Sequence, residues 1–81
     1  MRVTVRLFAR LRDLVGRAEA VCEVPDAATV TDVWQALERE HPAIAPYAGS
    51  VSAAVNADFA RMSAPVSDGD EVAFLPPVSG G

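Results

Sequence analysis

The last six residues of this 81-residue chain are its strongest candidates for chemistry, and they are Pro76, Pro77, Val78, Ser79, Gly80 and Gly81. Two consecutive prolines are stiff and extended, so they hold the end of the chain away from the body. The two terminal glycines have no side chain and keep their conformational freedom. Six residues reach at most ~20 Å, at about 3.3 Å per residue. The pattern predicts an arm whose narrow tip enters a channel in another protein.

The terminal carboxylate is the reactive group on this arm. The α-carboxyl group of Gly81 has a reference pKa of ~3.3–3.7, so it is an anion at pH 7 without an assisting base. It can attack the α-phosphate of ATP held in a partner enzyme, and the resulting acyl adenylate is open to a sulfur nucleophile. Glycine suits this position because a Cβ would crowd the channel and the attacking atom. We expect a folded domain of residues 1–75 followed by an extended tail of residues 76–81.

Other residue types that could do chemistry have simpler structural interpretations. Cys22 shares a strand face with Ala20 and Val24, and a buried free thiol is usually inert. Residues 68–71 carry three carboxylates but lack the remaining ligands of a calcium loop. His41 fits the end of a helix, where its cation suits the helix dipole. We therefore expect a non-catalytic protein with no metal and no cofactor of its own.

The composition limits the kinds of partner. With 51% hydrophobic and 22% charged residues, the chain is typical of one globular domain. A net charge of −4 argues against a nucleic acid partner. No apolar run reaches the ~18–20 residues that span a bilayer, so we expect a soluble, cytoplasmic protein without a membrane partner. All seven basic residues are arginines, and five lie within residues 2–17, a basic stretch that suits an acidic groove of a partner protein.

Hydropathy periodicity predicts the strands. Alternation of apolar and polar residues indicates strands at residues 2–8, 19–24 and 51–56, with a short returning strand at residues 59–62. Residues 71–75 are apolar in both phases. This is typical of a strand buried on both sides, so we place it in the middle of a sheet.

One main helix and a shorter one complete the pattern. Thr29 and Asp32 resemble a capping box, and the helix that follows ends before Pro42. Residues 9–16 predict one or two helical turns, and residues 43–50 an irregular stretch. The element order indicates an α+β roll of the β-grasp kind, in which the helix covers a mixed sheet of four or five strands. By analogy with that fold, the first and last strands are central, parallel neighbours.

Two apolar residues fall out of phase with the predicted core. Phe8 should point away from the helix, and Leu75 lies on the face of the last strand opposite Val72 and Phe74. If the two strands are parallel neighbours, Phe8 and Leu75 meet on the uncovered face, close to the tail. An uncovered apolar patch beside arginines predicts a docking site. The alternative is that Phe8 turns inward, and Phe59 has an equivalent alternative as core packing.

Several segments resemble a known family: FARLRDLVG at 8–16, VN at 55–56 and DGDEVAFLPPVSGG at 68–81. Together with the capped helix, they make the chain similar to the small, sulfur-carrying subunit of molybdopterin synthase. The resemblance covers essentially the whole chain, and PPVSGG is its most specific part. It implies a ubiquitin-like β-grasp fold and a docking face formed by Phe8, Phe59 and Leu75. We place Arg12 in the same interface.

The resemblance also implies the partners and the reaction. An adenylyltransferase related to ubiquitin-activating enzymes uses ATP to activate Gly81, which becomes a thiocarboxylate. The tail then enters the large synthase subunit, in an expected heterotetramer, and gives its sulfur to cyclic pyranopterin monophosphate to form molybdopterin. Two alternatives remain at this stage. The chain could carry sulfur for thiamine synthesis or tRNA thiolation, or it could be a ubiquitin-like modifier attached through Gly81.

Overall fold

A computed structural model describes residues 1–77. The predictions for Val78, Ser79, Gly80 and Gly81 therefore lie outside the described residues. Within the described part, the helices are α1 (Ala9–Val15), α2 (Val30–Glu40) and a 3₁₀ helix (Pro42–Tyr47). The strands are β1 (Arg2–Leu7), β2 (Glu19–Glu23), β3 (Ser52–Val55), β4 (Asp58–Ala60) and β5 (Glu71–Leu75).

The five strands form one mixed sheet in the order β2-β1-β5-β3-β4. The central strands β1 and β5 run parallel, with Leu7 opposite Phe74, and all other neighbours are antiparallel. A parallel pair cannot be joined by a tight turn and needs a crossover connection, which here contains α2. The predicted β-grasp fold, with the first and last strands adjacent at the centre, is confirmed.

The hydrophobic core lies between one face of the sheet and α2. The helix contributes its apolar stripe, Val30, Val33, Trp34 and Leu37, all at most 2% exposed. The Trp34 and Phe74 rings meet edge to face, with centroids 5.0 Å apart. The helix begins with a capping box, as predicted. The Thr29 N–H donates to Asp32 Oδ2 at 2.8 Å, and the Asp32 N–H donates to Thr29 Oγ1 at 3.4 Å.

Two sequence expectations were wrong. Residues 42–47 form a 3₁₀ helix where we expected an irregular stretch, because Pro42 suits the first turn of a helix and Ile44 is fully buried. The last strand is buried on one side only. Val72 and Phe74 are fully buried, whereas Leu75 and its neighbours on the other side are half-exposed, since α2 covers a single face of the sheet.

Candidate functional site

The tail begins at the end of the central strand. Because β1 and β5 are parallel and Leu7 lies opposite Phe74, the next residues along, Phe8 and Leu75, lie at the same end of the sheet. Pro76 follows Leu75 directly, so the base of the tail lies at this end as well. Strand β5 is hydrogen-bonded on both sides, to β1 and to β3. The residue that precedes Pro76 therefore belongs to a strand that is paired on both sides.

Phe8 is exposed at this end, and the local backbone explains why. It precedes α1 in an extended conformation, with φ −126° and ψ 152°. The chain then turns at Ala9, whose φ of 50° is in the left-handed region. Phe8 is 40% exposed and Leu75 is half-exposed. The alternative in which Phe8 turns into the core is therefore wrong.

Phe59 belongs to the same uncovered face but lies farther away. It is 85% exposed, so it is not part of the core. The two-residue turn before β4 sets its direction, with φ 50° at Asn56 and 72° at Ala57, as in the type I′ turns of β-hairpins. Three strand spacings of ~4.8 Å put β4 about 14 Å from β1. The structure brings Phe8 and Leu75 together, and it adds Phe59 to their face without bringing it next to them.

Strand register reveals residues of the open face that sequence reasoning missed. Arg6 lies opposite Ala73, Ala73 opposite Ala54, and Ala54 opposite Phe59. These four residues form a row across the sheet, with small side chains in its middle. Alternation along each strand shows which of its residues share a face. The row across the strands could be assembled only once the strand order was known. The open face, as we use the term, comprises this row together with Phe8 and Leu75.

Arginines border the open face. The Arg6 guanidinium carbon lies 6.0 Å from the centroid of the Phe8 ring, and Arg6 Nη1 lies 3.9 Å from Glu71 Oε2. Arg12 is exposed on α1, which follows Phe8. Among residues 1–77, no carboxylate lies within salt-bridge distance of Arg12. Its charge is thus unpaired within that part of the chain, and its place in the docking interface stays a prediction.

The carboxylates of residues 68–71 stabilise turns. Asp70 Oδ1 accepts from the Asn56 side-chain amide at 3.0 Å, and its Oδ2 accepts from the Ser67 N–H at 2.7 Å. These two hydrogen bonds, that of Asn56 foremost, lower the pKa of Asp70. The Arg2 N–H donates to Asp68 Oδ1 at 2.8 Å. The cluster ties the β3–β4 hairpin to the start of β5, at the end of the sheet opposite Phe8 and Leu75.

Cys22 lies on the covered face, as predicted, and is 8% exposed. Burial raises the pKa of its thiol, and the nearby negative charge of Glu40 raises it further. The thiol is therefore held in its protonated, poorly nucleophilic form. This environment argues against Cys22 as the group that carries sulfur.

Residues 1–77 contain neither a cluster of metal ligands nor a membrane-spanning helix. No group of three or more histidine, cysteine, aspartate or glutamate side chains in that part is placed to hold a metal ion. Its helices are also too short or too polar to cross a membrane.

Comparisons with known proteins match this geometry. The ThiS family matches residues 5–81. The molybdopterin synthase sulfur carrier subunit of Escherichia coli is 41% identical over 81 residues, which cover 98% of this chain and 99% of that protein. The structure of SAMP1 from Haloferax volcanii has a TM-score of 0.89 at 31% identity and 100% coverage of both chains.

A further solved structure is a protein–protein complex of subunits 1 and 2 of molybdopterin-converting factor from Helicobacter pylori. Its matching chain has a TM-score of 0.68 and 26% identity, again with 100% coverage of both chains. The resemblance stated from sequence is thereby confirmed. Since the family and its relatives match over nearly the full length, the chain belongs to the ThiS family, alongside the sulfur carrier subunits of molybdopterin synthase.

Proposed function

We propose that this chain is the sulfur carrier of molybdenum cofactor synthesis. In an activating enzyme, a carboxylate oxygen of Gly81 attacks the α-phosphorus of ATP, and pyrophosphate leaves. A sulfur nucleophile such as hydrosulfide then attacks the acyl carbon and expels AMP, which leaves a thiocarboxylate. In the large synthase subunit, this sulfur passes to cyclic pyranopterin monophosphate. The chain itself supplies no catalytic group and binds no cofactor; its partners do both.

The observation that carries the proposal is the position of the open face beside the base of the tail. Strand β5 ends at Leu75 and continues into Pro76, while Phe8 is exposed at the same end of the sheet. A partner that covers this face would receive the tail next to it. The Helicobacter pylori relative is seen in complex with subunit 2 of its converting factor, which supports a large-subunit partner. We expect two carriers and two large subunits in the assembly.

The folded domain positions the tail, whose narrow end carries the reactive carboxylate. Strand β5 pairs with β1 and β3, so hydrogen bonds on both sides hold the strand from which the tail begins. Phe59 and Leu75 lie on the sheet itself, which holds side chains more precisely than loops do, and Phe8 directly follows β1. One surface can therefore present Gly81 first to the activating enzyme and then to the synthase.

Intact mass spectrometry tests the proposal. The full chain is incubated with the activating enzyme, ATP and hydrosulfide, and we expect a gain of about 16 Da as sulfur replaces one carboxyl oxygen. A matched control carries one additional alanine after Gly81, which leaves residues 1–81 intact but moves the carboxylate. The control should gain no mass. A thiocarboxylate that fails to produce molybdopterin with the large subunit would contradict the assignment to this pathway.

Protein modification is the second candidate, because the fold matches SAMP1, a small archaeal modifier protein, so closely. A modifier would form an amide between Gly81 and lysines of other proteins, visible as conjugates of higher mass. A carrier would give the thiocarboxylate alone. Growth of a gene-deletion strain on a substrate that requires a molybdoenzyme separates molybdenum cofactor synthesis from thiamine synthesis and tRNA thiolation.

A further inference from the structure

The outer edge of β2 presents unpaired backbone groups. β2 is the edge strand beside β1. The Leu7 N–H donates to the Ala18 C=O, and the Val24 N–H donates to the Met1 C=O. Because antiparallel pairs alternate, the even-numbered residues of β2 direct their backbone groups toward β1. Glu19, Val21 and Glu23 therefore direct their N–H and C=O groups outward.

This edge lacks several of the features that usually protect an edge strand, and its protection rests on the charged side chains of Glu19 and Glu23. It contains neither proline nor lysine, and its register with β1 runs without a bulge from Glu19 to Glu23. Val21, at its centre, is 60% exposed. An open edge of this kind is a template onto which another strand can add. It lies on the far side of β1 from β5, so a strand bound there would leave the tail free.

A cavity adjoins one end of the same edge. It measures about 270 Å³ and lies between residues 23–28, where β2 ends, and the exposed side of α2 at Asp32, Ala36 and Arg39. Pockets for small ligands usually begin at about 300 Å³. A cavity just below this size has room for one side chain of an added strand. Its lining residues include three acidic residues and one arginine, a net negative charge that favours a basic side chain.

The charges along the edge define the occupant. Glu19 and Glu23 stand on either side of Val21, all on the sheet face away from α2. Strand β1 already shows what pairs with this pattern, since Arg6, Thr4 and Arg2 lie opposite these three residues in register. Arg2 Nε donates to Glu23 Oε1 at 3.0 Å.

A second copy of β2 does not fit this edge. An antiparallel partner centred on Val21 would place Glu19 opposite the Glu23 of the other copy, twice, and like charges directly opposite one another destabilise a strand pair. The edge thus disfavours self-association and favours a basic strand.

We propose that the outer edge of β2 binds an extended segment of a partner protein by strand addition. The segment carries a β-branched residue, with one basic residue two positions before it and another two positions after it. Its side chains on that face meet Glu19, Val21 and Glu23, and one from its other face enters the cavity. Glu19 lies next to Arg6 of the open face, but the backbone groups that would bind the segment lie on the outer side of β2, away from Phe8, Leu75 and the tail. The proposal therefore goes beyond sulfur transfer and does not depend on it.

The test uses the full chain, labelled with ¹⁵N, and an acetylated, amidated peptide. The peptide has a valine with an arginine two positions before it and another two positions after it, a third arginine on its other face at the cavity end, and threonine elsewhere. We expect NMR shifts at β2 and around the cavity, slower exchange of the Glu19, Val21 and Glu23 amide protons, and weaker binding at high salt. A control peptide with glutamates in place of the arginines should not bind.

Two variants separate the backbone and charge contributions. Val21→Pro removes one outward N–H, which an edge strand tolerates, and should weaken binding about fivefold. Its control, Val21→Thr, keeps that N–H and should bind as the wild type does. Glu19→Arg should weaken binding about tenfold and does not depend on whether the proline variant folds. The proposal is overturned if the peptide does not bind, if the acidic peptide binds equally, or if the shifts map to Phe8, Leu75 and Phe59.

Discussion

The two faces of the sheet are built from the same five strands but have different roles: one forms part of the core, and the other is exposed. On the covered face, Val5 and Phe74 are fully buried under α2. One residue further along each strand, the chain presents Arg6 and Leu75 to the other side. Side chains of a strand alternate between faces, so adjacent residues in sequence divide into those that stabilise the fold and those available to a partner. The exposed apolar residues of this sheet are therefore independent of the core.

This separation matters because the domain is small. Native domains are stable by only about 5–15 kcal/mol, and here the core lies against only one face of the sheet. The open face is then free to carry apolar side chains that a core would otherwise bury. If this comparison holds, equivalent substitutions on the two faces should have very different effects on stability.

The largest contrast should be between two phenylalanines. Phe74→Ala removes a fully buried ring that packs against Trp34, and we expect a loss of about 3–5 kcal/mol in the free energy of unfolding. Phe59→Ala removes a ring that is 85% exposed, and should change that free energy by no more than about 0.5 kcal/mol. Urea denaturation of both variants measures the difference. Comparable losses would show that the two faces are not independent.

The next contrast tests docking. Phe8→Asp puts a charge on the open face beside the base of the tail, and should weaken binding to the large synthase subunit about tenfold or more, the factor that 1.4 kcal/mol represents. The fold should stay cooperative, because Phe8 is already 40% exposed. Calorimetric titration measures the binding, and Ser63→Asp, outside the open face, is the matched control. If Phe8→Asp unfolds the domain, Phe8 belongs to the core and the open face is not a docking site.

Much of this contrast was predictable from sequence, because it depends on alternation. The phase of β1 and β5 assigned Val5 and Phe74 to the core, and it assigned Phe8 and Leu75 to the other side, without knowledge of tertiary structure. The β-grasp topology followed from the order of elements by analogy. The pattern within a strand is enough to assign its residues to the two faces when only one face is covered.

The rest depends on information that a single strand does not contain. Ala54 and Ala73 join the open face only through cross-strand register, which hydropathy does not encode. Residues 42–47 carry two prolines and no periodic repeat, so their 3₁₀ conformation follows from the burial of Ile44 in the tertiary structure. The cavity beside β2 depends on where α2 packs. Chemistry at the tail remains a prediction.

A smaller effect tests the burial of Cys22 on the covered face. The folded state raises the pKa of the Cys22 thiol above its ordinary value of 9.0. Stability from this group is therefore fully present below that value, and it is lost as the pH rises through the folded-state pKa. Unfolding free energies from about pH 8 to pH 10.5 should fall more steeply in the wild type than in Cys22→Ala. Equal slopes would mean that the thiol is not desolvated.

The smallest effect concerns the end of the sheet farthest from the tail. Hydrogen bonds lower the pKa of Asp70 below its ordinary value of 3.8, so the stability they provide is present above that value and is lost as the pH falls through the folded-state pKa. Asn56→Gly keeps the left-handed turn, because glycine adopts positive φ readily, but it removes the side-chain amide that contributes most to the shift. An NMR titration of the Asp70 carboxyl carbon should then show a pKa closer to 3.8. The free energy of unfolding should be slightly lower at pH 7 and should fall less on acidification.

Phe8 and Leu75 lie at the opposite end of the sheet, so binding of Asn56→Gly to the large subunit should not change. A loss of that binding would show that the two ends of the sheet act as one unit, and the division between a structural end and a docking end would have to be abandoned.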